Sequence, residues 1–160
     1  MDSSVSEILR SLLVGRGVAA LATLHDGRPS ASMVPFAATG HGGRLRLVIH
    51  VSGLASHTRD MRTNPEVALL ITAAESAGVP PQALPRVSLP GRSAFVPPDD
   101  SAHAVLAAAY LAKFPDAADL FAFADFSLVA IAPTSGRLVA GFARAMTLAP
   151  EALAAAVGGG

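Results

Sequence analysis

The spacing of apolar positions changes several times along the chain, and each change marks an element. Val5, Ile8, Leu9, Leu12 and Leu13 recur at helical spacing behind Ser4 and Glu7, which form a capping-box pair, and Gly15 and Gly17 close that helix. "VAALATL" then reads as a strand, "HDGRP" as a tight turn around Asp26-Gly27, and "SASMVPFAA" as a second strand with a bulge or edge at Pro35. Past the glycine-rich loop "TGHGG", the stretch "RLRLVIHVS" is a third strand. The polar segment "SGLASHTRDMRTNP" predicts a short helix that begins near Ser52 to Leu54 and stops at Asn64-Pro65. "EVALLITA" is apolar enough to be a strand buried on both faces, and "RVSLPGRSAFV" is a fifth strand with a bulge at Pro90-Gly91. "PPDDSAHAVLAAAYLAKFP" predicts an alanine-rich helix, with a short helix after it around residues 116–123. "FSLVAIAPTSGRLVAGFARAMTL" predicts two strands around the turn "PTSG", and "PEALAAAVGGG" a last helical piece with a loosely ordered tail over about residues 150–160.

The strands come mostly in hairpins and do not alternate with helices. This predicts a mainly β protein with peripheral helices, an α+β arrangement around an antiparallel sheet or barrel. A length of 160 residues fits one domain over residues 1–160, and a hydrophobic content of 51% supplies its core. Twelve basic residues balance 12 acidic ones, so no general electrostatic grip on nucleic acid or an anionic membrane is expected. Without cysteine the chain has no disulfide, thiolate nucleophile or thiolate-held metal. The N-terminus lacks the basic start and apolar run of a signal peptide, and no apolar stretch is long enough to span a bilayer, so a cytoplasmic protein is expected.

Overall neutrality hides two charged stretches. Residues 41–64 carry Arg44, Arg46, Arg59 and Arg62 against Asp60 alone, and residues 99–125 carry five aspartates against Lys113 alone. In the first stretch, the opening N–H groups of a helix lie among Ser52, Ser56, Thr58, His57 and Arg59, a set suited to a phosphate. The same pattern also fits a capped helix with a solvated basic face. None of the five histidines has a metal-site spacing. His25 and His41 fall in turns and His103 on a helix surface, whereas His50 ends a strand beside the corner. There is no nucleophile elbow and no phosphate-binding P-loop, so any redox chemistry has to come from a bound cofactor.

The ordered segments "DGRPSASMVPFA", "RLRLVIHVSGLASHTRDMRTNPEVALLI" and "PRVSLPGRSAFV" resemble the FMN-binding split-barrel superfamily, the pyridoxamine 5′-phosphate oxidase-like proteins. "YLAKFPDAADLFAFADFSLVAI" and "GRLVAGFARA" are similar to segments of its haem-utilisation branch, and the likeness spans about residues 10–146. The resemblance implies a six-stranded antiparallel split barrel and a homodimer with FMN in clefts between the subunits. Ser32 then matches the polar or basic contact to the FMN phosphate, and Met33, Val34 and Pro35 the backbone along the flavin ring. His50, Val51 and Ser52 match phosphate and ribityl contacts; Ser56, His57 and Thr58 sit at the helix start, with Ser56 and His57 on the oxidase's Arg-Lys pair. Arg86 matches a glutamine reaching the flavin from the partner, and Arg144 lies in the haem-branch ending. Small residues replace the oxidase's basic ones at Ser32, Ala37 and Ser56, the tryptophan-containing C-terminal segment has no counterpart, and Asp60 replaces an asparagine; pyridoxal phosphate synthesis is not expected.

The resemblance leads to a homodimeric FMN flavoprotein, a small oxidoreductase acting on an unidentified small molecule, with its status as an enzyme open. The alternatives are a haem-binding or haem-degrading protein using His50, His57 and Arg144, or a non-enzymatic flavin-binding dimer module; a deazaflavin in place of FMN also stays open.

Overall fold

In the computed structural model, which describes residues 2–158, a helix leads into a nine-stranded, wholly antiparallel sheet. Helix α1 (Ser3–Arg10) runs on into a π-helical turn, Ser11–Gly15. Its cap is Asp2 and not the expected Ser4: the Asp2 carboxylate accepts both the Val5 N–H (2.9 Å) and the Ser4 hydroxyl (2.7 Å). Val5, Leu9, Leu12 and Leu13 are buried, as their spacing predicts.

Strands β1 (Val18–His25) and β2 (Arg28–Pro35) form a hairpin. Pro35 ends β2, and the next N–H, that of Phe36, turns to the Gly17 carbonyl at 3.1 Å; β3 (Ala37–His41) is therefore a separate strand that pairs with β4 (Arg44–Ser52). Much of "TGHGG" is thus strand, and the turn is only Gly42-Gly43, both at positive φ. Helix α2 (Ser56–Thr63) begins later than expected and ends before Asn64-Pro65. Strand β5 (Glu66–Thr72) is not buried on both faces: Val67, Leu69 and Ile71 point into the core, and Leu70 is exposed on the other side.

Strand β6 (Arg86–Phe95) pairs with β5 without a break in register, so Pro90-Gly91 makes no bulge there. The proline falls where β6 changes its other partner, from β8 (Gly136–Val139) at residues 86–88 to β7 (Phe126–Pro133) at residues 91–95, where no ladder N–H is needed. At Gly91 a Cβ would lie 2.6 Å from the Ala132 carbonyl oxygen, so only glycine fits this crossing. A third C-terminal strand, β9 (Ala145–Leu148), pairs with β8 and was not expected. The sheet order is β2-β1-β5-β6-β7-β4-β3 with β8-β9 branching from β6, nine strands where the resemblance implies six.

The curved sheet encloses one core containing Leu21, Phe36, Leu47, Ile49, Leu69, Leu89 and Ile131, giving the split β-barrel. Helix α4 (Pro150–Val157) buries Leu153 and Ala156 against this core, so the expected loose tail is ordered through Val157; Gly159 and Gly160 lie outside the described residues. Helix α3 (His103–Lys113) and the 3₁₀ segment Pro115–Ala122 cover the other face of β4 and β7, where Val48, Leu106, Tyr110 and Leu128 form a second cluster. Among the described residues no helix is long and apolar enough to cross a membrane.

Candidate functional site

Alternation along β4 decides what each candidate on it can reach. Leu47, Ile49 and Val51 enter the barrel, so Arg46, Val48, His50 and Ser52 belong to the outer face. His50 pairs with Leu128 on β7, and the 3₁₀ segment brings Phe121 over it. The imidazole lies flat on the Phe121 ring, with centroids 3.9 Å apart and planes 7° apart; Phe126 and Tyr110 stand at 5.2 and 6.0 Å. Nδ1 of His50 is buried and has no hydrogen-bond partner among the described residues. Burial pushes the His50 pKa below its usual value, and the nearby His103 adds to this, so the ring is neutral at physiological pH.

His50 lines a cavity of about 770 Å³ together with His103, Arg62, Phe95, Phe121 and Phe126. Arg62, on α2, stacks its guanidinium 4.0 Å from the Phe95 ring centre and donates to the Ser127 hydroxyl at 3.3 Å. The result is a wide apolar slot with two imidazoles and one cation, within the size range of small-molecule sites. It suits a flat, largely apolar ligand carrying carboxylate groups. His103, expected on an open helix surface, is half-buried in this lining. Arg62 was read only as one of the basic stretch's charges, and Phe121 and Phe126 only as part of the phenylalanine-rich run "LFAFADF"; without the β4–β7 register nothing tied either to His50.

The corner between β4 and α2 is built differently from the expected phosphate site. Gly53 N–H donates to the Asp125 carbonyl at 2.6 Å, and the Ser52 hydroxyl to the Asp125 carboxylate at 3.3 Å. The acidic segment thus touches the basic one, and a carboxylate stands where a phosphate would need donors. Thr58 is buried, and its hydroxyl donates to the Ser52 carbonyl at 2.6 Å. His57 is half-buried, and burial lowers its pKa, partly offset by Asp60, so it carries no standing charge. Ser56 is exposed, and no side chain caps α2.

Asp60 does not face this corner. It is buried against β1, where it accepts from the Thr23 hydroxyl at 2.8 Å and lies 2.7 Å from His25 Nδ1. The contact with Asp60 raises the His25 pKa, and the bond from His25 is the main cause of the lowered Asp60 pKa. His25 is therefore a tethered partner and not a free turn residue.

The remaining candidates lie apart. Val34 and Val51 send their side chains into the core, Ser32 is half-buried, and Met33 and Pro35 are exposed on β2. Arg86 donates to the Gln82 and Leu84 carbonyls at 3.2 and 3.1 Å, and Arg144 lies 3.5 Å from Asp2. These two arginines share one end of the sheet through Val139, which pairs with both Arg86 and Ala145, whereas His50, Ser52 and His57 occupy the other end.

An antiparallel split barrel with helices over one outer face and a cavity beneath them defines the structural class. Residues 5–140 match the Pyridoxamine 5'-phosphate oxidase family, and the chain belongs to it. The chain is 37% identical over 148 residues to the chloroplastic "Non-canonical heme oxygenase HOZ" of Arabidopsis thaliana, covering 89% of this chain and 42% of that protein. Among solved structures, a haem-binding protein from Mycobacterium smegmatis superposes with a TM-score of 0.83 at 30% identity, covering 97% of this chain and 62% of that one. The haem storage protein HutZ of Vibrio cholerae gives 0.67 at 23% identity over 82% and 89% of the two chains, which concerns the fold alone. The chain thus spans less than half of the Arabidopsis relative's length.

Proposed function

We propose that this protein binds haem in the slot beside His50, on a barrel whose family also includes flavin enzymes. The unpartnered imidazole of His50 in that apolar slot carries the proposal. A neutral histidine walled by Phe121 and Phe126 in an apolar slot fits a planar macrocycle better than a phosphate ester, and with Nδ1 sealed, Nε2 is the nitrogen that would meet the iron. His50 is the candidate iron ligand, His103 the second imidazole, Phe121 and Phe126 the apolar walls, and Arg62 the partner for a propionate. Bound haem would supply the redox chemistry; the chain's residues exclude water from its face and fix its orientation. The likeness to a plant haem oxygenase and a mycobacterial haem-binding protein supports the same reading. His57 and Arg144 lie outside the slot lining and have no part in this reading.

FMN binding in a homodimer is the second reading. The uncapped start of α2 beside exposed Ser56 and Arg59 favours it; the Asp125 carboxylate and neutral His57 oppose it. Pairing between subunits draws support from a row of apolar side chains across β2, β1 and β5. Met33 and Leu70, both exposed, flank Ala20 in register, and Val18 is exposed at the start of the same strand. Water covers this face of the isolated chain, and a second copy would exclude it. Ser32, Met33, Pro35 and Arg86 are the residues of this second reading that a partner would bring into use.

Titrating the purified chain with haemin, and separately with FMN, tests both readings. A saturable Soret band that disappears in His50→Ala supports haem binding at the slot. Quenched FMN fluorescence with no haemin uptake overturns it and returns the site to the α2 corner.

A further inference from the structure

We propose that the cavity at the Pro133 end of β7 binds a small ligand carrying two negative charges, such as a phosphate ester or a dicarboxylate, independently of the His50 slot. The cavity has a volume of about 530 Å³ and lies between the β3–β4 turn, the ends of β6 and β7, and the start of α4; Arg44, Arg46, Arg92, Thr134 and Glu151 are its polar lining. The sheet register explains why arginines gather there. Arg92 on β6 pairs with Ala132 on β7, and Leu47 on β4 pairs with Ile131, so Arg46 comes next to Ala132 on the outer face. A small methyl group thus forms a floor between two guanidinium-bearing strands, and Arg44 adds a third guanidinium two residues from Arg46 on the same face of β4.

Among the described residues, only one of the three arginines is paired with a carboxylate. Arg92 is paired with Glu66 on β5. Among the described residues no carboxylate lies within 4.0 Å of a nitrogen of Arg44 or Arg46, and Glu151 makes no ion pair with any of the three arginines. Arg46 donates only to the neighbouring Leu45 carbonyl, at 3.1 Å. Burial and the charge of Arg44 both push its pKa below the usual guanidinium value, yet a guanidinium stays protonated. The charge of exposed Arg44 acts against that of half-buried Arg46, and a bound dianion would offset that repulsion while accepting from both planar forks. Two unpaired guanidinium charges are neutralised by two negative charges, which is why the ligand is assigned two.

Calorimetric titration with inorganic pyrophosphate, and in parallel with succinate, reads the site directly. Saturable binding of either probe is expected, weakening as sodium chloride is raised. The double variant Arg44→Gln/Arg46→Gln should bind at least about tenfold more weakly, the loss expected when charge-assisted hydrogen bonds are removed. Ala132→Glu, which puts a carboxylate on the floor between the arginines, should lose binding while both arginines remain. His50→Ala should leave the pyrophosphate affinity unchanged, and the double variant should still take up haemin, so this site can fail without the haem reading failing. Binding of pyrophosphate by the double variant at wild-type strength, or no saturable binding of either probe by the wild type, overturns the proposal.

Discussion

His50 and His25 sit at two seams of the same barrel and are held in opposite ways. His50, on the outer face of β4, is walled by phenylalanines, has one nitrogen buried without a partner, and is kept neutral by desolvation. His25, at the end of β1, is half in solvent, yet its ring is fixed to the buried carboxylate of Asp60, which favours its charged form. The first is an unused polar group in an apolar wall, which is the condition of a ligand site; the second is a satisfied pair that fastens α2 to the sheet. Burial alone does not separate a functional histidine from a structural one. The partner does: His25 has one inside the chain, whereas His50 Nδ1 has none there, and in the proposed reading Nε2 takes its partner from a ligand.

The largest effect that would sharpen this contrast is on haemin binding. His50→Ala should weaken it about 100-fold, near 2.7 kcal/mol, while His25→Ala leaves it unchanged; absorbance titrations of both variants check this. Equal affinities in the two variants would erase the distinction. On stability the order should reverse. Asp60→Asn should lower the urea midpoint with an unchanged m-value, because Thr23 and His25 use two carboxylate oxygens and the amide keeps only one acceptor and no charge, whereas His50→Phe should leave the midpoint close to wild type.

The pH dependence of melting separates the two histidines by sign. The raised pKa of His25 gives stability that is complete below about pH 6.5 and lost as the pH rises through its folded value. The lowered pKa of Asp60 gives stability present above about pH 3.8 and lost as the pH falls through its folded value. His50 works the other way from His25: its lowered pKa costs stability as the pH falls from about 6.5 through the folded value. Thermal melts from pH 4 to 9 should therefore show His25→Gln losing the alkaline decline and His50→Phe losing part of the acid one. The smallest effect concerns Arg62. As the proposed propionate partner it is solvent-exposed, so Arg62→Ala should cost about 0.5–1 kcal/mol, a two- to fivefold loss in haemin affinity in the same titration.

Much of this arrangement could be read from the chain, and what could not has a common physical cause. The strand pattern, the stop of α2 at Asn64-Pro65 and the helix after Asp99-Asp100 follow from local spacing and punctuation, and the antiparallel, mainly β class follows from their order; the split barrel itself was implied by the family resemblance. Non-local pairing decided the rest. Asp60 turns away from the cofactor corner because Thr23 and His25, 37 and 35 residues earlier, meet it. Ser52 is joined to a carboxylate 73 residues later. His103, Phe121 and Arg62 line one slot only because β7 lies beside β4 and beneath the segment that carries Phe121. No window along the sequence contains those neighbours. The uncounted β9 was missed, and the helix expected at "PEALAAAV" is better ordered than expected, for a related reason: four residues of strand and eight of helix gain their stability from the barrel they cover.

The position of β7 bears on how the chain is made. It pairs with β4 on one side and β6 on the other, yet it follows both by at least 30 residues in the order of synthesis. A growing chain that has reached Asp125 already has both neighbours complete, each with an open row of amide and carbonyl groups and no strand between them. Until residues 126–133 emerge, those two edges can pair with other chains, which is when a factor that shields unpaired strands would matter most to its yield.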